Sequence, residues 1–165
     1  MTNLDLLKKI SLFRDLDEKE IKQVVKVAVP KTFPAGSVII QEGESGDTMY
    51  ILCQGEVEIT KRLGLVLDED TPNERIIIRL KADEGVCFGE MSLLEDEPRS
   101  ATVTALTDCF LMELSRENFL DLIKYNSDMG CKILLRLAQL LSKYLRKTSQ
   151  DMVKLTSAMA IALGR

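Results

Sequence analysis

FGEMSLLEDEPRSATVT, Phe88 to Thr104, decides how the rest of the chain reads, because it sets a short helix start, acidic residues and one arginine around a phosphate-sized site. Gly89 has no Cβ and lets the backbone come close to a ligand. The apolar trio Met91, Leu93 and Leu94 predicts a short helix lying on a core. The first amides of a helix lack intrahelical partners and sit at the positive end of its dipole, so this turn offers donors to an anion. Pro98 and Arg99 close the loop. Arginine is always charged, and its planar fork grips two oxygens of a phosphodiester, to which Ser100 adds a hydroxyl. A carboxylate beside a phosphate would repel it, so Glu90 is expected to accept hydrogen bonds from a sugar hydroxyl while balancing Arg99. In isolation such a Glu–Arg spacing would be a surface ion pair worth less than about 1 kcal/mol. The flanking sequence turns the reading towards a site.

Upstream, GESGDTMYILCQGEVEI (Gly43 to Ile59) carries glycines Gly43, Gly46 and Gly55 between short apolar runs that alternate as antiparallel strands do. Their expected role is turn chemistry. Strands alternate with turns from about Lys31 to Ser115, in the rhythm of a jelly roll. Before them, Leu4 to Ile10 and Asp17 to Ala28 predict helices, the second with Asp17 as N-cap and Glu20 as its capping-box partner. LFRDL lies between the two, and Pro30 and Pro34 end the second. Between Thr60 and Ile76 the segment GLVLDEDTPNE predicts a longer hairpin with a turn at Pro72 and Asn73; a variable loop is preferred to a partner surface, because loop length costs little.

Past Arg116 the pattern is helical. Glu117 to Tyr125 forms one segment, Asn126-Ser127-Asp128 breaks or caps it, and Met129 to about Leu163 contains no proline. Leu134, Leu137, Leu141, Tyr144, Thr148, Leu155, Ala158 and Ala162 follow steps of three and four, with Asp151 at one intervening seam position. At about 1.5 Å per residue this helix outruns a single small domain, so homodimerisation through it is the preferred reading. The alternative is a bend near Thr148-Ser149 or Gly130 that folds the tail back on the barrel. The expected fold is mainly β with α: an antiparallel β jelly-roll barrel with N-terminal helices over 1–127, and a long C-terminal helix, for dimerisation or as a lid, over 128–165.

These residues resemble the phosphate-binding cassette of the cyclic nucleotide-binding domain family, in which a G-E pair and a P-R-[STA]-A segment flank a short helix. The G-E-x-G-D turn, the Y-I-I-type strand, the G-x-V turn and LFRDL are similar to that family in order and spacing. The resemblance implies that Arg99 holds the cyclic phosphate and Glu90 the ribose 2′-hydroxyl, with Gly89, Ser100 and Ala101 supplying donors; Met91 and Ser92 complete the candidate ligand-binding set. Leu135 to Met152 resembles the dimer helix of the cyclic-AMP-dependent bacterial regulators in that family. By that likeness Thr148 would bond the exocyclic amine of the base in its own pocket, and Ser149 would reach the neighbouring subunit's pocket. Family members that prefer guanine often place Thr after the cassette arginine, whereas Ser100 stands here, so cyclic AMP is favoured and cyclic GMP is the second candidate. Glu95, Asp96 and Glu97 depart from the small or polar residues frequent there in kinase regulatory subunits; facing outward they are harmless, facing inward they would weaken phosphate binding.

Composition excludes several classes. The 165 residues support one domain plus an appendage. A hydrophobic content of 45% with 29% charged residues is ordinary for a soluble protein. Net charge is −4 and basic residues are scattered, so direct nucleic-acid contact is not expected. No signal-peptide pattern and no run of roughly 20 apolar residues occurs, so no membrane partner and a cytoplasmic location are expected. Met-Thr-Asn reads as an intact N-terminus, and the stretch after Thr148-Ser149 is too short for a DNA-reading domain. Cys53, Cys87, Cys109 and Cys131 form no C-x-x-C pair and read as buried or idle thiols. With no histidine a metal cupin is improbable, and no metal or other cofactor is expected beyond the nucleotide ligand. Asp68-Glu69-Asp70 and Glu95-Asp96-Glu97 read as solvated loop faces.

No nucleophile–base pair is found, so no enzyme is expected. The leading expectation is a stand-alone sensor that passes cyclic-nucleotide binding, as a helix movement, to an unknown downstream protein. Its alternative is a degenerate, ligand-free barrel acting as a dimeric assembly scaffold. A barrel enzyme acting on a phosphorylated or carboxylated molecule, and DNA binding through an associated protein, rank below both.

Overall fold

A computed structural model describes residues 3–62 and 74–164. The N-terminal segment is helical, and its second α-helix has a complete N-cap. Helix α1 (Asn3–Lys9) leads through a 3-10 turn, Ser11–Phe13, into α2 (Glu18–Val27). Asp17 Oδ1 accepts from the amides of Lys19 and Glu20 at 2.8 and 2.9 Å, and Glu20 Oε2 accepts from the Asp17 amide at 2.7 Å. This is the expected capping box.

Eight strands follow: β1 (Val29–Phe33), β2 (Val38–Ile40), β3 (Thr48–Gln54), β4 (Glu56–Arg62), β5 (Glu74–Lys81), β6 (Cys87–Phe88), β7 (Thr102–Ala105) and β8 (Cys109–Ser115). They form two four-stranded antiparallel sheets, β1-β8-β3-β6 and β2-β7-β4-β5. The jelly-roll expectation thus appears as two facing sheets rather than one closed barrel. The GLVLDEDTPNE insert, with its acidic cluster and its Pro72-Asn73 turn, lies outside the described residues.

Alternation along β3 and β8 explains the order of layers. Met49 and Ile51 of β3, with Met112 and Leu114 of β8, join the cluster under the helices; Tyr50, Leu52, Cys109 and Leu111 join Val57, Val103 and Phe88 in a second cluster. The β3–β8 sheet is therefore buried on both faces, which is why TMYILC reads as a nearly continuous apolar run.

Helix α3 (Arg116–Tyr125) starts on Ser115, whose Oγ accepts from the Asn118 amide at 3.2 Å. Helix α4 (Ser127–Ala162) starts on Asn126, whose Oδ1 accepts from the Met129 amide at 3.1 Å. Its 36 residues form one uninterrupted helix, about 54 Å long at 1.5 Å per residue. The expected break at Asn126-Ser127-Asp128 is thus a change of helix. Gly130 makes no bend; it allows close packing, since a Cβ there would lie 2.9 Å from Ile123 O.

The base of α4 belongs to the core. Met129, Ile133 and Leu137, one helical turn apart, are buried with the N-terminal helices. Lys132 Nζ meets Glu20 Oε1 at 2.9 Å, and Arg136 grips both oxygens of Asp15 at 2.6 and 2.7 Å. Beyond Leu141 every described residue except Ala160 is exposed. The expected apolar stripe is therefore divided: Leu137 and Leu141 turn inward on this chain, because the helix base needs them for its own core. A different set, displaced around the helix, faces away from the domain in steps of three and four: Leu135, Ala138, Ser142, Leu145, Ser149, Met152, Thr156, Met159 and Leu163.

Candidate functional site

The turn after β6 is a 3-10 helix, Glu90–Leu93, entered through Gly89. Gly89 has φ +79°, and a Cβ there would sit 2.9 Å from Arg99 Nη1 and 3.0 Å from Thr48 O. Glycine is required both for the left-handed backbone and for the close approach of the guanidinium. The apolar trio does not all face the core as expected. Leu93 is 1% exposed, whereas Met91 and Leu94 are 42% and 48% exposed. A 3-10 turn has three residues per turn, so Met91 and Leu94 eclipse each other on the outer side while Glu90, Ser92 and Leu93 face in.

Arg99 is the centre of the site. Its residue exposure is 9%. Nη1 donates to Thr48 O at 2.7 Å and to Ser92 Oγ at 2.8 Å, and Nη2 donates to Thr48 Oγ1 at 2.8 Å. The turn after β2 encloses it: the Gly43 amide donates to Arg99 O and the Arg99 amide to Glu44 O, each at 2.9 Å. Gly46 lies against the guanidinium, and a Cβ there would stand 2.6 Å from Nη2. Burial, with a smaller push from the Arg116 cation, pulls the Arg99 pKa down, partly countered by Tyr50, Asp47 and Glu113. Among the described residues no carboxylate forms an ion pair with it. The expected balance between Glu90 and Arg99 is therefore absent. A cation held by neutral oxygens in a low-dielectric setting favours an incoming anion.

Glu90 is 6% exposed, and burial raises its carboxyl pKa. Cys87 is pushed up to about 12 by burial and by Glu90. Tyr144, from α4, is pushed up to about 12 by burial, then by Glu90 and Cys87. Tyr144 is 45% exposed, on the α4 face that interacts electrostatically with Glu90 and Cys87. Thr148 follows Tyr144 by one helical turn on that face, while Ser149 falls on the outward seam; both are exposed. Ser100 is exposed and Ala101 half-buried beside Arg99. The Glu95-Asp96-Glu97 side chains are exposed, as expected of a loop face.

The structure thus brings Gly89, Ser92 and Arg99 together, buries Glu90 in the same turn, leaves the Met91 side chain outside, and places Thr148 and Ser149 on an exposed helix. Sequence reading missed Thr48 and Arg116. Thr48 follows directly on the G-E-x-G-D turn, which was its available signal. Arg116 carries no local signal, because the oxygens it bonds lie 20 to 24 residues earlier. Of the four free thiols only Cys109 is buried, and Cys131 is exposed on α4. Among the described residues no helix is long and apolar enough to cross a membrane, and no cluster of metal-ligating side chains occurs.

The family model for the cyclic nucleotide-binding domain matches residues 30–126. A cAMP-dependent protein kinase regulatory subunit of Dictyostelium discoideum is 32% identical over 115 residues, which are 70% of this chain and 34% of that protein. The crystal structure of Thermus thermophilus Catabolite Activator Protein superposes with a TM-score of 0.75 at 29% identity, covering 88% of this chain and 63% of that one. The regulatory domain of Toxoplasma gondii PKA, solved with cAMP, gives a TM-score of 0.61 at 33% identity, covering 72% of this chain and 42% of that one. The chain spans roughly a third of the length of the curated relatives it matches. The first of these is a kinase regulatory subunit, and the other two are cyclic nucleotide-gated potassium channels of Mesorhizobium japonicum and Rhizobium etli. Because the matched region carries both sheets and the whole turn from Gly89 to Arg99, the chain belongs to the cyclic nucleotide-binding domain family.

Proposed function

We propose that the chain is a regulatory sensor that binds cyclic AMP in preference to cyclic GMP and passes the event to a partner protein by repositioning its C-terminal helix. The observation that carries this reading is Arg99, buried and hydrogen-bonded without a carboxylate counter-ion. A cyclic phosphate supplies the missing negative charge, met by the guanidinium and by amides of the Gly89–Ser92 turn. Glu90 accepts from the ribose 2′-hydroxyl, and Ser100 and Ala101 border the phosphate. The relatives solved or named with cAMP support the choice of ligand.

In this reading residues 1–127 sense and 128–165 respond. Thr148, on the face that carries Tyr144, meets the base of its own pocket; Ser149, on the outward seam, reaches the pocket of a second copy. The seam from Leu135 to Leu163 supports a homodimer through α4, because it exposes Leu135, Leu145, Met152, Met159 and Leu163, with small residues between them, along one face that a second copy would cover. The chain acts by binding rather than catalysis, in the cytoplasm, without direct contact to nucleic acid or membrane.

Calorimetric titration with cyclic AMP and cyclic GMP, with Arg99→Ala as control and light scattering for mass, tests the proposal. Saturable binding lost in the variant is expected. No heat and no thermal shift in a folded, nucleotide-free sample would refute it and leave the dimeric scaffold.

A further inference from the structure

Arg116 stands where the phosphate turn, the turn after β2 and the C-terminal helices meet. It is the first residue of α3. Its Nε donates to Ser92 O at 2.7 Å, its Nη2 donates to Glu95 O, and its Nη1 reaches Asp96 Oδ1 at 3.4 Å. Its own amide donates to Asp47 O at 2.7 Å.

These bonds answer a specific need. The amides of Leu94 and Glu95 both donate to Met91 O, so the turn ends there and the carbonyls of Ser92 and Glu95 are left for other donors. A guanidinium at the C-terminal end of a helical turn satisfies them and sits at the favourable end of the local dipoles. Asp96 is 91% exposed in its side chain, so that ion pair contributes little and the two carbonyl bonds carry the clamp.

Arg99 and Arg116 hold overlapping residues. Ser92 accepts from Arg99 with its hydroxyl and from Arg116 with its carbonyl. Thr48 holds Arg99, and its neighbour Asp47 accepts from the Arg116 amide. Any shift of the turn towards an anion at Arg99 therefore pulls on the first residue of α3. Helix α3 in turn packs on the base of α4: Phe119 and Leu122 share a buried cluster with Met129 and Ile133, and Ile123 abuts Gly130.

We infer that Arg116 is a positioning residue that ties the phosphate turn to α3, and through α3 to α4, without touching the nucleotide. The inference rests on the nucleotide reading above. Lysine keeps the charge but lacks the planar fork that spans both carbonyls, so Arg116→Lys isolates the geometry of the clamp. Coupling of this kind shows as a difference between binding and response.

The experiment compares the full chain with its Arg116→Lys, Arg116→Gln and Asp96→Ala variants, by calorimetry with cyclic AMP, thermal unfolding, and hydrogen exchange of residues 90–95 and 119–137 with and without cyclic AMP. Arg116→Lys and Arg116→Gln are expected to bind within about fivefold of the parent and to keep ligand-induced protection at 90–95, while the ligand-induced change at 119–137 falls at least about fourfold. Asp96→Ala is expected to match the parent in every readout. An unaltered ligand response at 119–137 in Arg116→Lys overturns the coupling role, and so does a loss of affinity as large as that of Arg99→Ala, which would place Arg116 in the binding site. If Arg116→Gln does not fold, Arg116→Lys decides. A parent chain that binds neither nucleotide overturns the nucleotide reading and the coupling together.

Discussion

Gly46→Ala tests the site without removing any functional group. Gly46 has no left-handed backbone to strain, but the added Cβ would stand 2.6 Å from Arg99 Nη2 and 2.8 Å from Arg99 Cζ. Ordinary contacts between such atoms are about 3.5–4.0 Å, so the guanidinium must withdraw by about 1 Å. The bonds from Nη2 to Thr48 Oγ1 and from Nη1 to Ser92 Oγ, both 2.8 Å, cannot then both persist, and the fork turns away from the phosphate. If the displaced fork forgoes one charge-assisted hydrogen bond to the phosphate, of about 1.5–3 kcal/mol, cyclic AMP binding weakens by about 10- to 150-fold. The bond lost to Thr48 or Ser92 also costs the free protein about 1.5–3 kcal/mol, partly offset by about 0.4–1 kcal/mol from the lower unfolded-state entropy of alanine, so stability is expected to fall by about 0.5–2.5 kcal/mol. Calorimetry and thermal unfolding measure the two quantities separately. Affinity within about twofold of the parent would show that Arg99 placement does not govern binding and would refute the reasoning.

Glu90→Gln is expected to weaken cyclic AMP binding by about 10- to 100-fold, through loss of a charged acceptor, and this is read by calorimetry. Its folded pKa lies above the ordinary glutamate value of 4.5, so ionising it costs stability as pH rises from that value through the folded one; the variant should melt above the parent at neutral pH and lose that advantage in acid. For the α4 seam, Leu145→Glu combined with Met152→Glu should weaken self-association by at least about 100-fold in light scattering and leave the melting of the separated domain unchanged. Asp15 behaves oppositely to Glu90: its hydrogen bonds to Arg136 hold its carboxyl below the ordinary 3.8, so its stabilising contribution is complete above that value and is lost as pH falls through the lower folded one. Hydrogen exchange at the base of α4, in the parent but not in Asp15→Asn, should accelerate over that acidic window.

Much of the fold is legible locally. Asp17 and Glu20 cap α2 through partners two and three residues away, and the G-E-x-G-D and G-E pairs mark turns whose geometry glycine alone supplies. The candidate site was legible where its residues lie in one stretch: Gly89 and Ser92 meet Arg99, with Glu90 between them in the same turn. The facing of Met91 and Leu94 was not, because a 3-10 turn and an α-helix share the same apolar letters yet point them differently. Nor was the α4 seam, because Leu137 and Leu141 fit a self-association stripe equally well as a stripe for the domain's own core.

By itself the sequence determined what short-range chemistry controls: the strands and turns, the helix starts, and the turn that carries Gly89 and Glu90 with Arg99 behind it. Only the tertiary structure decided which oxygens hold Arg99, that Glu90 does not balance it, that Arg116 bridges the turn to α3, and which face of α4 remains uncovered. Those outcomes depend on contacts between segments far apart in the chain, such as Arg99 with Thr48 and Arg116 with Ser92, and no local pattern encodes such distances.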